Sequence, residues 1–157
     1  MAKPYFEPKI GYAVACQGVT KRFGTNTIAV SKLNLNVNYG TLFGIIGADG
    51  SGKTTLLRMI ATLLVPSEGT ISLLGKDVVK DFRYLRHCIG YMPGRFSLYP
   101  DLTVRENLNV FATLYRTSVE ENYDLICDIY DQLAPFAHRQ AGKLSGGMKQ
   151  KLALCCA

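Results

Sequence analysis

The 157-residue chain is 48% hydrophobic and carries a formal net charge of +6 at pH 7. Such a length and apolar content are typical of one globular domain with a buried core, and they exclude a disordered chain. The basic residues are scattered along the sequence, so we expect no nucleic-acid partner, which would require a basic patch or stripe. The five cysteines form no CxxC pair and are predicted to be small buried residues in a reducing cytoplasm. No apolar run approaches the roughly 20 residues that cross a bilayer, so no membrane-spanning segment is expected.

The first part of the sequence predicts a tail followed by strands. Residues 1–11 show no periodicity and are expected to form the tail. Over residues 33–39 apolar side chains alternate with asparagines, which predicts an antiparallel strand with one wet face, and residues 13–19 are its expected neighbour. Residues 41–46 are instead apolar on both faces, a pattern that predicts a parallel strand covered by helices on both sides.

Helical spacing follows the glycine-rich segment after this strand. Apolar residues recur from Leu56 to Leu64 and predict a helix that ends before Pro66, and residues 70–75 predict another short strand. Two capping-box patterns then each open an apolar stripe. The pairs are Thr103 with Glu106, and Ser118 with Glu121; the stripes are Val104, Leu108, Phe111 and Tyr115, and then Tyr123, Cys127, Tyr130 and Ala134. These stripes predict a helical subdomain.

The segment "GADGSGKTT", residues 47–55, fits the phosphate-binding pattern G-x-x-x-x-G-K-[ST] through Gly47, Gly52, Lys53 and Thr54. Glycines allow successive main-chain N–H groups to curl round a phosphate, and the positive end of the following helix points at the same anion. Lys53 adds a charge for the outer phosphates, the Thr54 hydroxyl can ligate Mg²⁺, and Thr55 is expected to donate to the inner phosphate.

A second motif, "LSGGMKQ", covers residues 144–150. Ser145 occupies the position of a helix N-cap, and Gly146 and Gly147 leave the first turn of the helix open to a close approach. The segment therefore predicts a second anion site without side-chain obstruction.

Together the two motifs, in this order and about ninety residues apart, resemble the Walker A and signature motifs of the ATP-binding subunit of an ABC transporter. The resemblance runs from about residue 12 to the last residue. It implies an α/β fold: a P-loop NTPase core with a mostly parallel sheet and flanking helices, plus an N-terminal antiparallel β subdomain and a helical subdomain. The chain 1–157 is then one partial ATP-binding domain. The α/β and antiparallel parts take residues 12–94, the helical subdomain 95–143, and the signature motif with its helix 144–157.

The resemblance implies ATP and Mg²⁺ as cofactors and assigns residues to them. Phe23 corresponds to the aromatic residue that stacks on adenine, although a core phenylalanine before a turn is the alternative interpretation. The nucleotide-binding residues are then Phe23, Gly47, Ala48, Asp49, Gly50, Ser51, Gly52, Lys53, Thr54 and Thr55, with Thr54 also the metal ligand. The residues that would contact ATP on a second subunit are Leu144, Ser145, Gly146, Gly147 and Gln150.

The resemblance further implies a head-to-tail dimer of ATP-binding subunits and a transmembrane permease as partners. Residues 99–108, "YPDLTVRENL", resemble the region that faces the permease in multidrug and other export systems. The expected location is the inner face of the plasma membrane, peripheral and through the permease. A soluble ATPase of the translation or DNA-repair class, or a binding-only regulatory module, remain alternatives.

The sequence departs from the family pattern in two places. Gly94 stands where the family usually has a glutamine that helps to hold Mg²⁺ and the attacking water, so either a hinge is kept without its ligand or the site is impaired. The Walker B strand and histidine loop, which would carry the catalytic residues, do not follow Ala157. We therefore interpret the chain as truncated and lacking the C-terminal part of the core. It is expected to bind nucleotide without efficient hydrolysis. The apolar face of its last helix is expected to be buried against strands that the sequence does not contain.

Overall fold

The computed structural model describes residues 11–94 and 97–157. The predicted tail therefore lies, apart from Gly11, outside the described residues. The chain forms two compact units, of which the first ends at Ile89 and the second is Gly90–Ala157. The boundary between residues 94 and 95 that the sequence suggests stays a prediction.

A four-stranded sheet forms the first unit, in the order β2-β1-β3-β4. The strands are β1 (Tyr12–Phe23), β2 (Thr27–Asn38), β3 (Glu68–Leu73) and β4 (Lys76–Asp77). Each neighbouring pair is antiparallel. The predicted strands over residues 13–19, 33–39 and 70–75 are thereby confirmed in type. Over residues 33–38 of β2 the apolar side chains are half-buried while the asparagines are exposed.

The predicted parallel strand over residues 41–46 is wrong for the described structure. These residues belong to no strand, and Leu42 and Ile46 are 104% and 99% exposed. A strand needs a neighbour to satisfy its main-chain N–H and C=O groups, and none of the described residues supplies one beside this segment. Every strand pairing within the described residues is antiparallel, so the expected parallel sheet is not formed there.

Helix α1 (Lys53–Ile60) and the single turn α2 (Phe82–Leu85) cover the sheet. Their buried side chains complete a core whose members are Cys16, Val19, Leu56, Met59, Ile71, Leu73, Val78 and Leu85. Helix α1 ends earlier than its apolar spacing predicts, because Thr62 adopts a φ of 61°. The Arg86 guanidinium holds this residue by donating to its hydroxyl and to its carbonyl, each at 3.0 Å.

The second unit contains three α-helices, α3 (Val104–Leu114), α4 (Tyr123–Tyr130) and α5 (Gly146–Cys155), and two short 3-10 helices, Ala134–Phe136 and Ala141–Lys143. The first predicted capping box is confirmed, because Thr103 and Glu106 exchange hydrogen bonds at the start of α3. These bonds hold the pKa of the Glu106 carboxyl below its usual value. Ser118 and Glu121 exchange the same two bonds, yet they close a turn, and α4 begins only at Tyr123. The two helices therefore lie where the stripes predict them, with the second one shorter.

The apolar face of α5 is partly buried within the second unit, which corrects for Leu152 and Cys156 the expectation that missing strands would cover it. Leu152 is fully buried and Cys156 nearly so, while Leu154 is 51% exposed. The core here consists of Val104, Leu108, Leu133, Ala141, Leu144, Leu152 and Cys156. The residues of α3 and of the segments after α4 thus cover Leu152 and Cys156.

The cysteines only partly follow the prediction that they are small buried residues. All five are free thiols; Cys16 and Cys156 are buried, Cys127 and Cys155 are half-buried, and Cys88 is exposed. Among the described residues, no helix combines the length and the apolar character that crossing a membrane requires.

Candidate nucleotide site

The glycine-rich loop leads directly into the N-terminus of α1. Gly52 is the N-cap residue and offers no side chain to cap the helix, and the first helical bond runs from the Leu56 N–H to the Gly52 carbonyl at 2.9 Å. The first N–H groups of a helix have no acceptor within it. The amides of Lys53, Thr54 and Thr55 therefore point out of α1 as donors, at its positive end.

Two glycines give the loop its shape. Gly50 and Gly52 have φ values of 80° and 91°, the left-handed region that glycine adopts without penalty. Gly52 also passes so close to β2 that a Cβ atom would lie 2.1 Å from the Ala29 carbonyl oxygen. At Gly47 a Cβ atom would lie 2.9 Å from Ser51 Oγ, inside the curve of the loop. The observed loop conformation therefore leaves no room for a side chain at Gly47 or Gly52.

The Lys53 side chain reaches back across the loop. Its Nζ donates to the carbonyl oxygens of Gly47 and Ala48, at 2.7 and 2.6 Å. The Ser51 N–H closes the turn by donating to the Ala48 carbonyl at 3.2 Å. A lysine ammonium has three donors, so the third remains for an anion at the same point. One positive charge is thus held beside the open amides of the helix.

The loop residues are accessible from outside. Five successive residues are exposed, namely Gly47, Ala48, Asp49, Gly50 and Ser51. Thr54 is exposed as well, and Thr55 is half-buried. A cleft of about 400 Å³ runs from the loop and Lys53 to β2. An anion can therefore approach the loop without displacing a core side chain.

The groups of this loop suit a triphosphate, but they could hold Mg²⁺ only if phosphate oxygens also coordinate the ion. Thr54, an exposed residue, carries the side-chain oxygen that the sequence assigns to the metal. The described residues contain no cluster of three or more acidic, histidine or cysteine side chains that could hold a metal alone. Mg²⁺ commonly keeps several waters and binds through substrate phosphates. Thr54 could therefore hold the ion only together with phosphate oxygens.

Phe23 is not the core phenylalanine that was the alternative to an adenine contact. It ends β1 at the turn into β2, and its side chain is 44% exposed. The Lys21 ammonium lies 5.3 Å from the ring centroid while it donates to the Val65 carbonyl at 2.8 Å. One face of the ring is thus packed by a cation, and much of the ring remains accessible for stacking.

The signature residues lie in the second unit, at the N-terminus of α5. Ser145 is the N-cap, as predicted, and its Oγ accepts a hydrogen bond from the Met148 N–H at 3.3 Å. Added Cβ atoms at Gly146 and Gly147 would meet no described atom within 4 Å, so packing does not require glycine at either position. Gln150 is exposed, whereas Leu144 is 5% exposed and belongs to the core. The Leu144 side chain therefore anchors the motif, and any contact it makes with a ligand would come from its main chain.

The ABC transporter family model matches residues 30–157, which is most of the chain and includes both motifs. The chain belongs to the ABC transporter family. A similar protein is the probable multidrug ABC transporter ATP-binding protein YbhF of Escherichia coli K12. That protein is 44% identical over 146 residues, which are 91% of this chain and 25% of YbhF.

The Nod factor export ATP-binding protein I of Burkholderia lata is 39% identical over 140 residues, or 88% of this chain and 46% of that protein. This ABC transporter chain therefore spans about a quarter to a half of the length of the curated relatives it matches. Among solved structures, an ATP-binding subunit of an ABC transporter superposes with a TM-score of 0.76 at 26% identity, covering 92% of this chain and 61% of that one. A dimeric ATP-binding cassette in a post-hydrolysis state, bound to ADP and Pi, gives 0.76 at 29% identity, covering 91% and 68%.

Proposed function

We propose that this chain binds ATP with Mg²⁺ at the loop of residues 47–55 and serves as the energy-coupling part of an ABC transporter. The observation that carries the proposal is the placement of Lys53. Its ammonium group is fixed by two loop carbonyls beside the open amides at the start of α1. Main-chain donors and one cation thus belong to the same short segment, which supports a site for an anion of several charges.

Phosphate contacts are expected to supply most of the affinity. A hydrogen bond to a charged group contributes about 1.5–3 kcal/mol, and the loop offers several. Stacking of a base on one aromatic ring contributes about 1–3 kcal/mol in total. Phe23, exposed at the end of β1, is the residue that we assign to this contact. Selectivity for the base should therefore be modest, while removal of the phosphates should abolish binding.

The signature motif has a role in this function that one chain cannot fulfil alone. Ser145 caps α5, and Gly146 and Gly147 keep its first turn open without any packing reason. Glycine costs at most about 1 kcal/mol relative to alanine in a helix, the full amount applying to its interior, so its presence in this first turn favours a role outside the fold. We infer that this turn meets the phosphates of ATP bound to the loop of a second copy in a head-to-tail dimer. The dimeric cassettes among the structural neighbours support this inference.

Export is the direction of transport that we propose, with a transmembrane permease as the second partner. The relatives that support it are named for multidrug transport and for Nod factor export. The ATP-binding chain would then act at the inner face of the membrane through that permease. The solute would be selected by the permease.

Hydrolysis by these residues alone is expected to be inefficient. Gly94 offers no side-chain oxygen for Mg²⁺ or water, and the described residues bring no acidic cluster to the site. Phosphoryl transfer depends on metal coordination and on a group that positions the attacking water. We therefore propose binding as the activity of these 157 residues and turnover as a property of the complete domain.

Titration with a fluorescent ATP analogue tests the proposal. Lys53→Ala should weaken binding about 10- to 100-fold, because one charge-assisted contact is lost. Arg58→Ala is the matched control, since it removes a cation from the exposed last turn of the same helix. It should leave the affinity unchanged. Equal losses in the two variants would show that the loop is not the site, and unlabelled ATP must displace the analogue from the unchanged chain.

A further inference from the structure

Asn107 is the one fully buried asparagine among the described residues, and the nucleotide site does not include it. It lies on α3 among apolar neighbours, with Val104 and Leu108 buried beside it. Burying an amide side chain costs free energy unless its donors and acceptor are all paired. Its hydrogen bonds therefore show what the residue holds in place.

All of its hydrogen-bonding groups are used to hold the preceding loop. The Asn107 Oδ1 accepts from the Tyr99 N–H at 2.8 Å. Its Nδ2 donates to the carbonyl oxygens of Tyr99, Leu102 and Thr103, at 3.0, 3.2 and 2.9 Å. Residues 99–103 are thus fixed to α3 by one side chain.

The same loop is bonded to the segment that precedes the signature motif. The Ala141 N–H donates to the Leu102 carbonyl and the Gly142 N–H to the Pro100 carbonyl, both at 2.8 Å. The two segments approach so closely that a Cβ atom at Gly142 would lie 3.0 Å from the Pro100 carbonyl oxygen. Glycine at this position therefore permits the contact.

Hydrogen bonds continue from this segment to the signature serine. The Leu144 N–H donates to the Ala141 carbonyl at 3.2 Å, and both side chains are buried. Lys149 bridges the two parts, because its Nζ donates to the Gly142 carbonyl at 3.1 Å and its N–H to the Ser145 carbonyl at 2.9 Å. An unbroken series of contacts thus leads from Asn107 to Ser145.

We propose that Asn107 is a positioning residue for Ser145: by fixing loop 99–103, against which residues 140–142 are bonded, it sets the direction of the N-terminus of α5. The inference rests on the proposed function, in which this turn meets ATP on a second copy. Networks of buried hydrogen bonds couple their members, so loosening one end loosens the other. Asn107 touches no substrate and acts only through this network.

Asn109 provides a matched control. It is an asparagine on the same helix, two residues away, and it is exposed. The test compares Asn107→Ala with Asn109→Ala by amide hydrogen exchange and by ATP-driven association in analytical ultracentrifugation. ATP affinity of the separate chain is measured beside them.

In Asn107→Ala, exchange at Tyr99, Ala141, Gly142 and Met148 should accelerate about tenfold or more, because their acceptors are released. Exchange in α4 should remain as in the control. The association constant in the presence of ATP should fall about tenfold with the ATP affinity of the separate chain unchanged. A uniform acceleration across the second unit, or association equal to that of Asn109→Ala, would overturn the proposal.

Gly142→Ala perturbs the same network from its other side and decides the question if Asn107→Ala does not fold. It should give the same pattern of exchange and association, and the double variant should be less than additive because both act on one network. Unchanged exchange at Met148 in Gly142→Ala would contradict the proposal. If the unaltered chain does not associate with ATP, the proposed function fails, and the exchange pattern alone then decides the role of Asn107.

Discussion

Gly52 at the N-cap of α1 lies against the Ala29 carbonyl of β2 so closely that a Cβ atom would stand 2.1 Å from that oxygen. No side-chain carbon can take that position without moving the main chain. The start of the helix, and with it the point toward which its open amides aim, is therefore set by contact with the antiparallel sheet. The glycine-rich loop of residues 47–55 depends on β2 as much as on its own glycines.

Gly52→Ala should accordingly destabilise the first unit and disrupt the loop. The substitution combines a φ of 91° with the clash at Ala29, and the backbone strain alone costs about 1–3 kcal/mol. Urea unfolding followed by circular dichroism should show a lower midpoint, and binding of the ATP analogue should be lost. Gly50→Ala is the control, because its φ is 80° but a Cβ atom there would meet no described atom within 4 Å. Equal midpoints for Gly52→Ala and the unaltered chain would refute the importance of this contact.

Phe23→Ala should distinguish the contribution of the base to ATP affinity from that of the phosphates. Loss of the ring should weaken ATP binding by about 1–3 kcal/mol, while the affinity for inorganic tripolyphosphate, which has no base, should not change. Because the side chain is 44% exposed, stability should fall little. Calorimetric titration of both ligands checks this, with Phe23→Tyr expected to retain the ATP affinity. If both ligands lose affinity equally, Phe23 supports the fold and does not contact adenine.

The outcome of sequence-based prediction differs between local and long-range features. The start of α1 at Lys53 and the capping of α3 and α5 depend on residues within one turn, and the sequence predicted them. The strand over residues 41–46 depends on a neighbour that is distant in sequence, and its apolar pattern alone could not show that the described residues leave it unpaired. Asn107 was missed, although the sequence contained a signal for it. The signal is that a polar residue stands on the face of α3 that carries the apolar stripe.

Gly147→Ala should make the second unit more stable and the dimer weaker. A Cβ atom at this position meets no described atom within 4 Å, and alanine is favoured over glycine by at most about 1 kcal/mol in a helix. A higher urea midpoint together with weaker ATP-driven association would indicate that glycine lowers the stability of the helix but is needed for the proposed contact with a second copy. Lower stability, or association that is unaffected, would contradict this explanation. ATP binding to the separate chain serves as the internal control.

The stability of the second unit should decline in alkaline solution. Burial raises the pKa of Cys155 from 9.0 to about 11 and that of Cys156, with a contribution from the neighbouring Cys155 thiolate, to about 12. In the unfolded chain both thiols lose their protons near pH 9, so rising pH favours the unfolded state until the folded thiols ionise as well. The contribution is therefore complete below about pH 9 and is lost progressively up to about pH 12.

Urea unfolding at several pH values between 8 and 11 measures this effect. Cys156→Ala should show a flatter decline of the free energy of unfolding than the unaltered chain, because one of the two titrating thiols is removed. Cys88→Ala is the matched control, since Cys88 is exposed and lies in the first unit. Parallel declines in all three proteins would show that these thiols do not govern the alkaline sensitivity.

Gly94→Gln tests whether the departure from the family pattern impairs the proposed Mg²⁺ site. A Cβ atom at Gly94 would meet no described atom within 4 Å, and its φ does not lie in the left-handed region, so the fold should accept the side chain. Replacing a glycine at a compatible position lowers the entropy of the unfolded chain and should stabilise by about 0.4–1 kcal/mol. If glutamine restores a ligand, the affinity for ATP should rise in Mg²⁺ and stay unchanged in EDTA, with Gly94→Ala giving the stability gain alone. An equal affinity of the two variants in Mg²⁺ would mean that this residue does not reach the ion.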